Sequence, residues 1–437
     1  MVELQRRAEA GIDSEAEEAT RARGHALLAV LRAAGGETLR RDAVTDRVTR
    51  WAMGDEALKT QLFRFIDVLP ALRASRDVAR HLGEYLLRPE VRLPPGAGAL
   101  LRAGTRSGAA AALLARSARV GAHQMARRFI AGSNVREAAA TIVRLRGRGI
   151  GFTMDILGEA VTSESEAEVY QGQYLGLLAG LSEAARRWKR VSVVDEAPWG
   201  PVPRVNVSLK LSSLYSQFDP LDADGTVAAV KARLRPILAQ ARQLGAYVHI
   251  DTEHYATKEI TLRIFREILM EEDFRDWSDT GIVVQAYLRE AGRDLEELRE
   301  WAERRGAPVW VRLVKGAYWD YETVIAAQRG WPVPVFTRKP ETDASFERLT
   351  RFLLENWRLL RPAIASHNVR SMAHALALAH HLGLPRRTVE YQVLYGMGDR
   401  LALALAEGEE RVRVYVPYGE LIPGMAYLVR RLLENTS

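Results

Sequence analysis

GFTMDIL (Gly151–Leu157) is the point at which the pattern of the chain changes, because short apolar runs alternate with amphipathic segments from there onward. The short length and apolar character of each run predict a buried β-strand. Eight such runs follow one another: Phe152–Leu157, Val205–Leu211, Tyr247–Asp251, Ile282–Leu288, Val309–Lys315, Ala363–His367, Val389–Leu394 and Val412–Val416.

The segments between these runs have the spacing of helices. Examples are Val227–Leu244, Lys258–Met270, Asp294–Arg304 and Asp343–Leu360. Eight strands alternating with helices predict an α/β fold, a (β/α)8 barrel of the TIM type. An open doubly wound sheet is the alternative. It should carry a glycine-rich dinucleotide loop after its first strand, and none follows GFTMDIL.

The chain before the barrel reads as helix. Val2–Ala33 is charged and periodic, Leu58–Val68 carries an apolar face, and Leu100–Ile130 is rich in Ala and Arg without a β-branched run. Asn134 is placed to cap a helix over Val135–Gly147. We therefore expect a helical arm over 1–55, a small helical domain with its linker over 56–145, and the barrel over 146–437.

Composition excludes several classes of chemistry. The 437 residues contain no Cys, which excludes disulfides, thiolate nucleophiles and Cys-ligated metals. The net charge of +7 is spread along the chain, so we expect a solvated basic surface and no nucleic-acid partner. Met1–Thr20 is too charged for a secretory leader, and no run of 18 apolar residues occurs. Any membrane contact is therefore expected to be peripheral.

Polar residues recur in or just after the predicted strands, where the active sites of such barrels lie. A lone charged residue at a strand end is often only an ion-pair partner, but a ring converging on one mouth predicts a site for a polar ligand. The ring consists of Asp155, Glu159, Lys210, Asp251, Glu253, Gln285, Arg312, Lys315, His367, Asn368, Gln392 and Tyr415.

The predicted last helix, Gly424–Asn435, carries Arg430 and Arg431 next to each other, with Tyr427 nearby. Two guanidinium groups suit bidentate binding of a carboxylate. The alternative is that these cations only oppose the dipole of the helix C-terminus.

The loop Pro334–Ser345 offers Thr337, Arg338, Lys339 and Thr342 before a helix expected to start near Asp343, an arrangement suited to a phosphate or pyrophosphate. A solvated basic loop is the alternative. No metal site is expected, because His374, His380 and His381 share one predicted helix without the carboxylates of a metal motif.

Nine motifs follow one another along the predicted barrel: DILGEA (Asp155–Ala160), VSLKLSSLY (Val207–Tyr215), HIDTEH (His249–His254), VVQAYLRE (Val283–Glu290), VRLVKGAYWD (Val311–Asp320), FTRKPETDAS (Phe336–Ser345), ASHN (Ala365–Asn368), YQVLYGMGD (Tyr391–Asp399) and VYVPYGELIPGMAYLVRRLLEN (Val414–Asn435). Together they resemble the proline dehydrogenase domain of proline utilization A. The segment before the barrel, with LFRFIDVLP (Leu62–Pro70), resembles the helical arm and alpha domain of the same family.

The resemblance implies oxidation of L-proline to Δ1-pyrroline-5-carboxylate by hydride transfer to non-covalent FAD, with electrons passed to a membrane quinone. It implies that Arg312 bonds the flavin N5 region and that Gln285, Val314, Lys315, Gly316, Ala317 and Trp319 line the ring and ribityl chain. It assigns the rest of the nucleotide to Thr337, Arg338, Lys339, His367, Asn368, Gln392 and Glu434. It assigns the proline pocket to Lys210, Asp251, Tyr318, Tyr415, Tyr427, Arg430 and Arg431, with Glu159 pairing Arg430 as a gate. Asp251 would lie beside a cation such as Arg431 and hold it in place.

Two departures from the bifunctional members of this family stand out. An aldehyde dehydrogenase domain is expected in the full-length protein, yet the sequence ends at Ser437, so we expect an excised piece of a cytoplasmic protein that contacts the membrane peripherally when reduced. No ribbon-helix-helix segment precedes Val2–Ala33. Two rival functions are another flavin barrel reductase, such as a methylenetetrahydrofolate reductase, and a basic helical module that binds nucleic acid. Reduction of a bound flavin by reduced nicotinamide would favour the first, and salt-sensitive DNA retention without yellow colour would favour the second.

Overall fold

The computed structural model describes residues 2–33, 55–93, 96–158, 161–420 and 424. Eight parallel strands close into a barrel in which each strand pairs with its neighbours in chain order and β8 closes against β1. The predicted (β/α)8 fold is therefore confirmed. The strands are β1 Ile150–Ile156, β2 Asn206–Lys210, β3 Tyr247–Asp251, β4 Thr280–Gln285, β5 Val309–Val314, β6 Leu360–Ala365, β7 Glu390–Leu394 and β8 Arg411–Tyr418.

Helices precede the barrel and connect its strands. Those before it are α1 Val2–Ala33, α2 Glu56–Val68, α3 Ser75–Leu86, α4 Ala97–Arg106, α5 Gly108–Phe129 and α6 Val135–Arg146. Those within it are α7 Glu164–Ala185, α8 Ser192–Asp195, α9 Ala223–Gln243, α10 Tyr255–Ile268, α11 Ala291–Arg305, α12 Trp319–Arg329, α13 Lys339–Glu355, α14 Val369–His381 and α15 Asp399–Glu407. No helix among the described residues is long and apolar enough to cross a membrane.

The described residues form two compact units. One contains α1 together with Ala139–Val416, and the other contains residues 55–138 together with Pro417–Glu420. Within the first unit, α1 packs against α14, and Arg370 on α14 forms ion pairs with Glu17 of α1 and Glu347 of α13. This grouping places the first helix with the barrel, and the divisions at residues 55 and 145 stay predictions.

The helical unit buries apolar side chains such as Phe65, Val78 and Leu114, and a helix cap and one long side chain add polar contacts. The Asp55 carboxylate accepts from the backbone N–H of Leu58 at 3.0 Å and caps α2. Arg119 on α5 donates to the carbonyl oxygens of Leu72 and Arg73, each at 3.1 Å. These bonds tie α5 to the turn before α3.

The end of the barrel opposite the strand C-termini is closed by aromatic rings and guanidinium groups. A hairpin over residues 196–201 places the Trp199 ring 5.5 Å from that of Trp310. The guanidinium carbons of Arg361 and Arg411 lie 4.6 and 5.2 Å from the centroid of Trp199. Because Arg411 is fully buried, this stacking supplies part of the stabilisation that water would otherwise give its charge.

Two helix boundaries differ from the sequence-based expectation. The predicted helix Leu100–Ile130 is divided into α4 and α5, because Ser107 adopts an extended conformation (φ −127°, ψ 134°) between them. The helix expected to start near Asp343 begins at Lys339, after Arg338, whose backbone N–H donates to the Glu341 carboxylate at 3.3 Å. That capping contact starts the helix one turn earlier than Asp343 indicated.

Candidate active site

The Asp251 carboxylate, at the end of β3, is the centre of a buried cluster at the C-terminal ends of the strands. One oxygen accepts from Arg312 Nη1 of β5 at 2.6 Å, and the other accepts from the Tyr415 hydroxyl of β8 at 2.8 Å. The Arg312 guanidinium carbon also lies 5.1 Å from the centroid of the Tyr415 ring. The three predicted site residues are thus brought together, with the cation of Arg312 beside Asp251.

Arg312 is held on two further sides. Its Nε donates to Gln392 Oε1 at 2.7 Å, and its Nη2 donates to the Ser208 hydroxyl at 2.9 Å. Ser208 in turn lies 2.9 Å from the Thr153 hydroxyl across the β1–β2 pair. A guanidinium has five N–H groups, so three bonds to fixed partners set the plane of Arg312 and leave two N–H groups for a ligand.

A second buried ion pair lies beside the first. Lys210 Nζ, at the end of β2, donates to Asp155 Oδ1 of β1 at 2.7 Å, and both side chains are almost completely buried. A pair this deep is retained only when hydrogen bonds accompany it, and it gives the mouth of the barrel a fixed ammonium group. Lys210 was a predicted member of the proline pocket.

Gln285 ends β4 within the same mouth. Its Nε2 donates to the backbone carbonyl of Glu253 at 3.2 Å. Its Oε1 is buried and has no hydrogen-bond partner among the residues that the structure describes. A buried amide oxygen without a hydrogen-bond donor destabilises the folded protein. A ligand assigned to this site should therefore supply a donor to Gln285 Oε1.

The segment from Val314 to Trp319, at the end of β5, packs against the loop that follows β4. The backbone N–H groups of Ala286 and Tyr287 donate to the carbonyls of Val314 and Lys315 at 2.8 and 2.7 Å. Gly316 has φ +134°, and a Cβ there would collide with the Tyr287 ring, so only glycine fits. The structure places Ala317 directly after this turn, Lys315 in an ion pair with Asp343, and Trp319 Nε1 2.8 Å from the carbonyl of Phe336.

Tyr318 is buried against His254. Their ring centroids are 4.3 Å apart, and the His254 ring lies at the same distance from Tyr321. The backbone N–H of Tyr255 donates to Glu322 at 2.8 Å, and burial raises the pKa of Glu322. Tyr318 therefore belongs to an aromatic wall formed by the loops after β3 and β5.

The predicted anion-binding residues occupy the start of α13. Arg338 immediately precedes the helix and its guanidinium pairs with Glu341 at 2.9 Å, while Lys339 is the first helical residue. Thr337, Arg338 and Lys339 are all exposed. Two cations thus lie at a helix N-terminus, which suits a phosphate group. Glu341 accepts from the Arg338 backbone N–H and guanidinium, so a phosphate that used these donors would have to displace the Glu341 carboxylate.

His367 and Asn368 follow β6. His367 Nε2 accepts from the backbone N–H of Leu394 at 2.9 Å, and the Asn368 side chain caps α14 by accepting from Ser371 at 3.1 Å. Both residues are exposed to solvent. Gln392, two residues before Leu394, points into the barrel instead and is engaged by Arg312.

Several predicted site residues lie outside the described residues. They are Glu159, Tyr427, Arg430, Arg431 and Glu434, and of the predicted helix Gly424–Asn435 only residue 424 is described. Their roles stay predictions.

One group of acidic residues has the proximity of metal ligands. Glu259, Glu290 and Asp294 bring their oxygen atoms within 4.8 Å of one another. Each of them contacts the ammonium group of Lys258 at 2.8 Å. Arg293 also contacts Glu290 at 2.8 Å and Glu259 at 3.7 Å, so two protein cations offset part of the charge of the three carboxylates. The group lies at α10 and α11, outside the barrel.

Three polar residues inside the barrel were missed by the sequence analysis. Ser208, Glu390 and Arg413 lie on strands, each two positions before a predicted site residue: Lys210, Gln392 and Tyr415. Alternate residues of a strand face the same side, so these positions also point inward. The sequence signal that could have found them is a polar residue two positions before the polar residue at the strand end. The sequence analysis considered only the strand ends.

Comparison with known proteins matches residues 138–437 to the proline dehydrogenase family and residues 17–129 to the proline utilization A N-terminal domain. Proline dehydrogenase 1 of Bacillus subtilis is 31% identical over 311 residues, which cover 71% of this chain and 86% of that protein. The bifunctional protein PutA of Escherichia coli is 31% identical over 318 residues, but this chain spans only 23% of its length.

A solved structure extends the comparison to the whole chain. Proline utilization A of Bdellovibrio bacteriovorus, inactivated by N-propargylglycine, matches with a TM-score of 0.85 and 41% identity, covering 97% of this chain and 42% of that one. The match includes the helices before the barrel as well as the barrel. On the combined match of sequence and fold, the chain belongs to the proline dehydrogenase family and is of the proline utilization A type.

Proposed function

We propose that this chain oxidises L-proline to Δ1-pyrroline-5-carboxylate with non-covalent FAD as the hydride acceptor. The observation that carries the proposal is the buried cluster of Asp251, Arg312 and Tyr415 at the strand ends of a barrel from this family. The cluster fixes a carboxylate between a guanidinium and a phenol, which suits a reaction in which a cofactor does the chemistry and the protein orients the substrate.

The chemistry of the site fits FAD. The buried Gln285 Oε1 has no donor among the described residues, and the isoalloxazine ring carries an N–H that such an amide oxygen can accept. Arg312 has two N–H groups beyond its protein bonds, and a cation there stabilises negative charge on a reduced flavin. Bound FAD supplies the acceptor for a hydride.

The residues proposed to hold FAD fall into two groups. Those against the ring and ribityl chain are Gln285, Arg312, Val314, Lys315, Gly316, Ala317 and Trp319. Those for the pyrophosphate and the rest of the nucleotide are Thr337, Arg338, Lys339, His367, Asn368 and Glu434. Gln392, which the resemblance places with them, is bonded to Arg312 and is therefore proposed to act at the ring through that guanidinium. The start of α13, where the exposed residues Thr337, Arg338 and Lys339 lie at a helix N-terminus, supports the pyrophosphate assignment.

The proposed oxidation removes a hydride from proline Cδ, the carbon next to nitrogen that does not carry the carboxylate. The nitrogen releases a proton to water as the C=N bond forms. The chain has to hold the zwitterion in one orientation while this happens. We assign the pocket to Lys210, Asp251, Tyr318, Tyr415, Tyr427, Arg430 and Arg431, with Glu159 as a gate on Arg430. Asp251 is suited to its part because Arg312 and Tyr415 fix both of its oxygens.

The wider setting is also part of the proposal. Electrons would pass from the flavin to a membrane quinone, with the protein in the cytoplasm and in peripheral contact with the bilayer when reduced. Because the chain spans 23% of the bifunctional relatives, an aldehyde dehydrogenase domain would consume the product in a longer protein. The arm (1–55), the small helical domain (56–145) and the FAD-binding barrel (146–437) would be the divisions of this part.

The proposal is tested by product analysis. Purified protein is reconstituted with FAD, incubated with L-proline and a soluble quinone, and the product is analysed by mass spectrometry. We expect an imine two hydrogens lighter than proline, formed in proportion to the quinone reduced. Protein lacking Asp251 (Asp251→Ala) is the control for non-enzymatic oxidation. Parent protein that takes up no FAD, or that yields no such imine, contradicts the proposal.

A further inference from the structure

A chain of buried hydrogen bonds continues from Arg312 toward the interior of the barrel. Gln392 accepts from Arg312 Nε at 2.7 Å and donates through its Nε2 to Glu390 Oε1 at 2.7 Å. Arg413 Nε donates to the same Glu390 oxygen at 2.8 Å, and Arg413 Nη1 donates to the backbone carbonyl of Phe152 at 2.6 Å. All four side chains are buried, so water does not compete for these bonds.

The direction of the Gln392 amide is set by its two neighbours. The Arg312 N–H is only a donor, so it requires the carbonyl oxygen of the amide. The NH2 group must then face an acceptor, and Glu390 provides one. With the amide turned around, donors would face donors at one end and acceptors would face acceptors at the other, and both bonds would be lost.

Glu390 can play this part because it is a carboxylate. Burial opposes its ionisation, but Arg413 and Arg411 outweigh burial and lower the pKa of Glu390 below its ordinary value. A protonated Glu390 would present a second donor, and its acceptance from both Gln392 and Arg413 would be weakened. Arg413 is itself fixed by the β1 backbone, so the chain of bonds ends on a strand.

We propose that Glu390, held by Arg413, is a positioning residue that fixes the Gln392 amide and through it the guanidinium of Arg312. For catalysis this rests on the proposed function, in which Arg312 lies against the flavin. Neither Glu390 nor Arg413 is proposed to touch substrate or cofactor. The pair acts only through Gln392, and that restriction is what makes the proposal testable.

The variants have to remove the acceptor without changing the net charge of the buried cluster. Glu390→Met alone would leave both Arg413 and Arg411 without their carboxylate, because Arg411 Nε lies 3.9 Å from the other Glu390 oxygen. Glu390→Met with Arg413→Met removes one negative and one positive charge, so Arg411 loses an attractive and a repulsive neighbour together, and apolar side chains of similar volume fill the space. Gln392→Met removes the intermediate residue. The control is the buried pair of Arg146 on α6 and Asp195 on α8, 2.7 Å apart and exchanged for Met in the same way.

The first readout does not depend on redox activity. In flavin-free protein labelled with 15N-arginine, the Arg312 Nε–H resonance is identified by its loss in Arg312→Lys. We expect slow hydrogen exchange in the parent and in the Arg146/Asp195 control, and exchange at least about tenfold faster in both Gln392→Met and the Glu390/Arg413 double variant. Parent-like exchange in the double variant overturns the proposal, whether or not the protein oxidises proline.

The second readout addresses catalysis in the FAD-loaded protein. We expect Gln392→Met and the double variant each to lower the limiting rate of flavin reduction about tenfold, with little change in the affinity for proline. Combining all three substitutions should reduce the rate no further than Gln392→Met alone, because the pair acts through Gln392. The proposal is contradicted if the rate loss in the triple variant equals the product of the losses in Gln392→Met and in the double variant. It is also contradicted if the double variant reduces the flavin at a rate within twofold of the parent. Loss of activity in the parent itself concerns only the proposed function.

Discussion

Tyr415 and Arg312 each hold one oxygen of the same carboxylate: the Tyr415 hydroxyl lies 2.8 Å from Asp251 Oδ2, and Arg312 Nη1 lies 2.6 Å from Oδ1. The three residues come from β8, β5 and β3, so no local segment of sequence could form this cluster. Because each oxygen has its own donor, Asp251 cannot rotate without breaking a bond. Its orientation is therefore fixed before any ligand arrives.

Removal of the Tyr415 hydroxyl should release one side of Asp251. Tyr415→Phe keeps the ring against Arg312 but leaves a buried carboxylate oxygen without its donor, so we expect a loss of about 1–3 kcal/mol in the free energy of unfolding. A higher Michaelis constant for proline should accompany it. Tyr391→Phe, at a buried position of β7 that faces the helices, is the control. Urea unfolding and steady-state kinetics of both variants measure the difference, and equal effects in the two would argue against a special role for Tyr415.

Gly281 on β4 is required by packing inside the barrel. The Tyr247 hydroxyl lies 2.6 Å from His249 Nδ1, and a Cβ at Gly281 would collide with the hydroxyl and approach Nδ1 within 2.7 Å. Both side chains are anchored in the barrel core, so Gly281→Ala should destabilise the protein by about 1–3 kcal/mol.

Gly176→Ala is the matched control for Gly281→Ala. Gly176 lies within α7 and its added Cβ would meet no atom within 4 Å, so alanine there should stabilise the protein by about 0.5–1 kcal/mol. Thermal unfolding of the two variants should shift in opposite directions. A neutral Gly281→Ala would show that the core can relax around the extra methyl group.

The docking of α1 should depend on pH through Glu17. Arg370 and Arg21 outweigh its partial burial and lower the pKa of Glu17 from 4.5 to about 2. A depressed carboxyl pKa stabilises the folded state above pH 4.5, and that contribution is lost as the pH falls toward 2. Because the pair is partly exposed, we expect Glu17→Gln to cost about 1 kcal/mol or less at pH 7.

The measurement for Glu17 is the melting temperature of the parent and of Glu17→Gln between pH 7 and pH 3. The gap between them should be widest at neutral pH and narrow as the pH falls. Glu18→Gln, a change of the same type at the adjacent exposed residue, is the control and should follow the parent throughout. A gap that stays constant with pH would mean that the Glu17 carboxylate does not hold α1.

The adjacent Arg430 and Arg431 remain the predicted clamp for the proline carboxylate. Replacing either by Met should raise the Michaelis constant about ten- to a hundredfold, since a charge-assisted bond contributes roughly 1.5–3 kcal/mol. Lysine at either position should restore only part of the loss, because an ammonium group cannot bind a carboxylate bidentately. If the cations only oppose the helix dipole, steady-state kinetics will be near normal and the melting temperature alone will fall.

The barrel could be predicted from the sequence, and so could the polar residues at the C-terminal ends of its strands. Strands buried on both faces read as apolar runs, and their polar last residues, such as Lys210 and Asp251, stand out against that background. The sequence did not predict which of these side chains form hydrogen bonds with one another. That Arg312 bonds Asp251, Gln392 and Ser208 depends on the stagger of four strands around the barrel, which no single run of residues encodes.

The inner polar layer was missed for a related reason. Glu390 and Arg413 were read as ordinary members of apolar runs, because a charged residue inside a barrel is rare unless it is paired, and pairing is invisible in one strand. The start of α13 was misplaced because Asp343 resembles an N-cap, whereas Glu341 forms the capping contact with Arg338. Local capping rules identify candidates, and tertiary position decides between them.

The most direct test of the central claim is an anaerobic absorbance titration of the FAD-reconstituted protein with L-proline. The account predicts that the oxidised flavin band is lost as proline is added and returns when a quinone is admitted, and that reduced nicotinamide produces no such loss. A flavin band that proline leaves unchanged while reduced nicotinamide abolishes it would contradict the account and indicate a different flavin reductase on the same barrel.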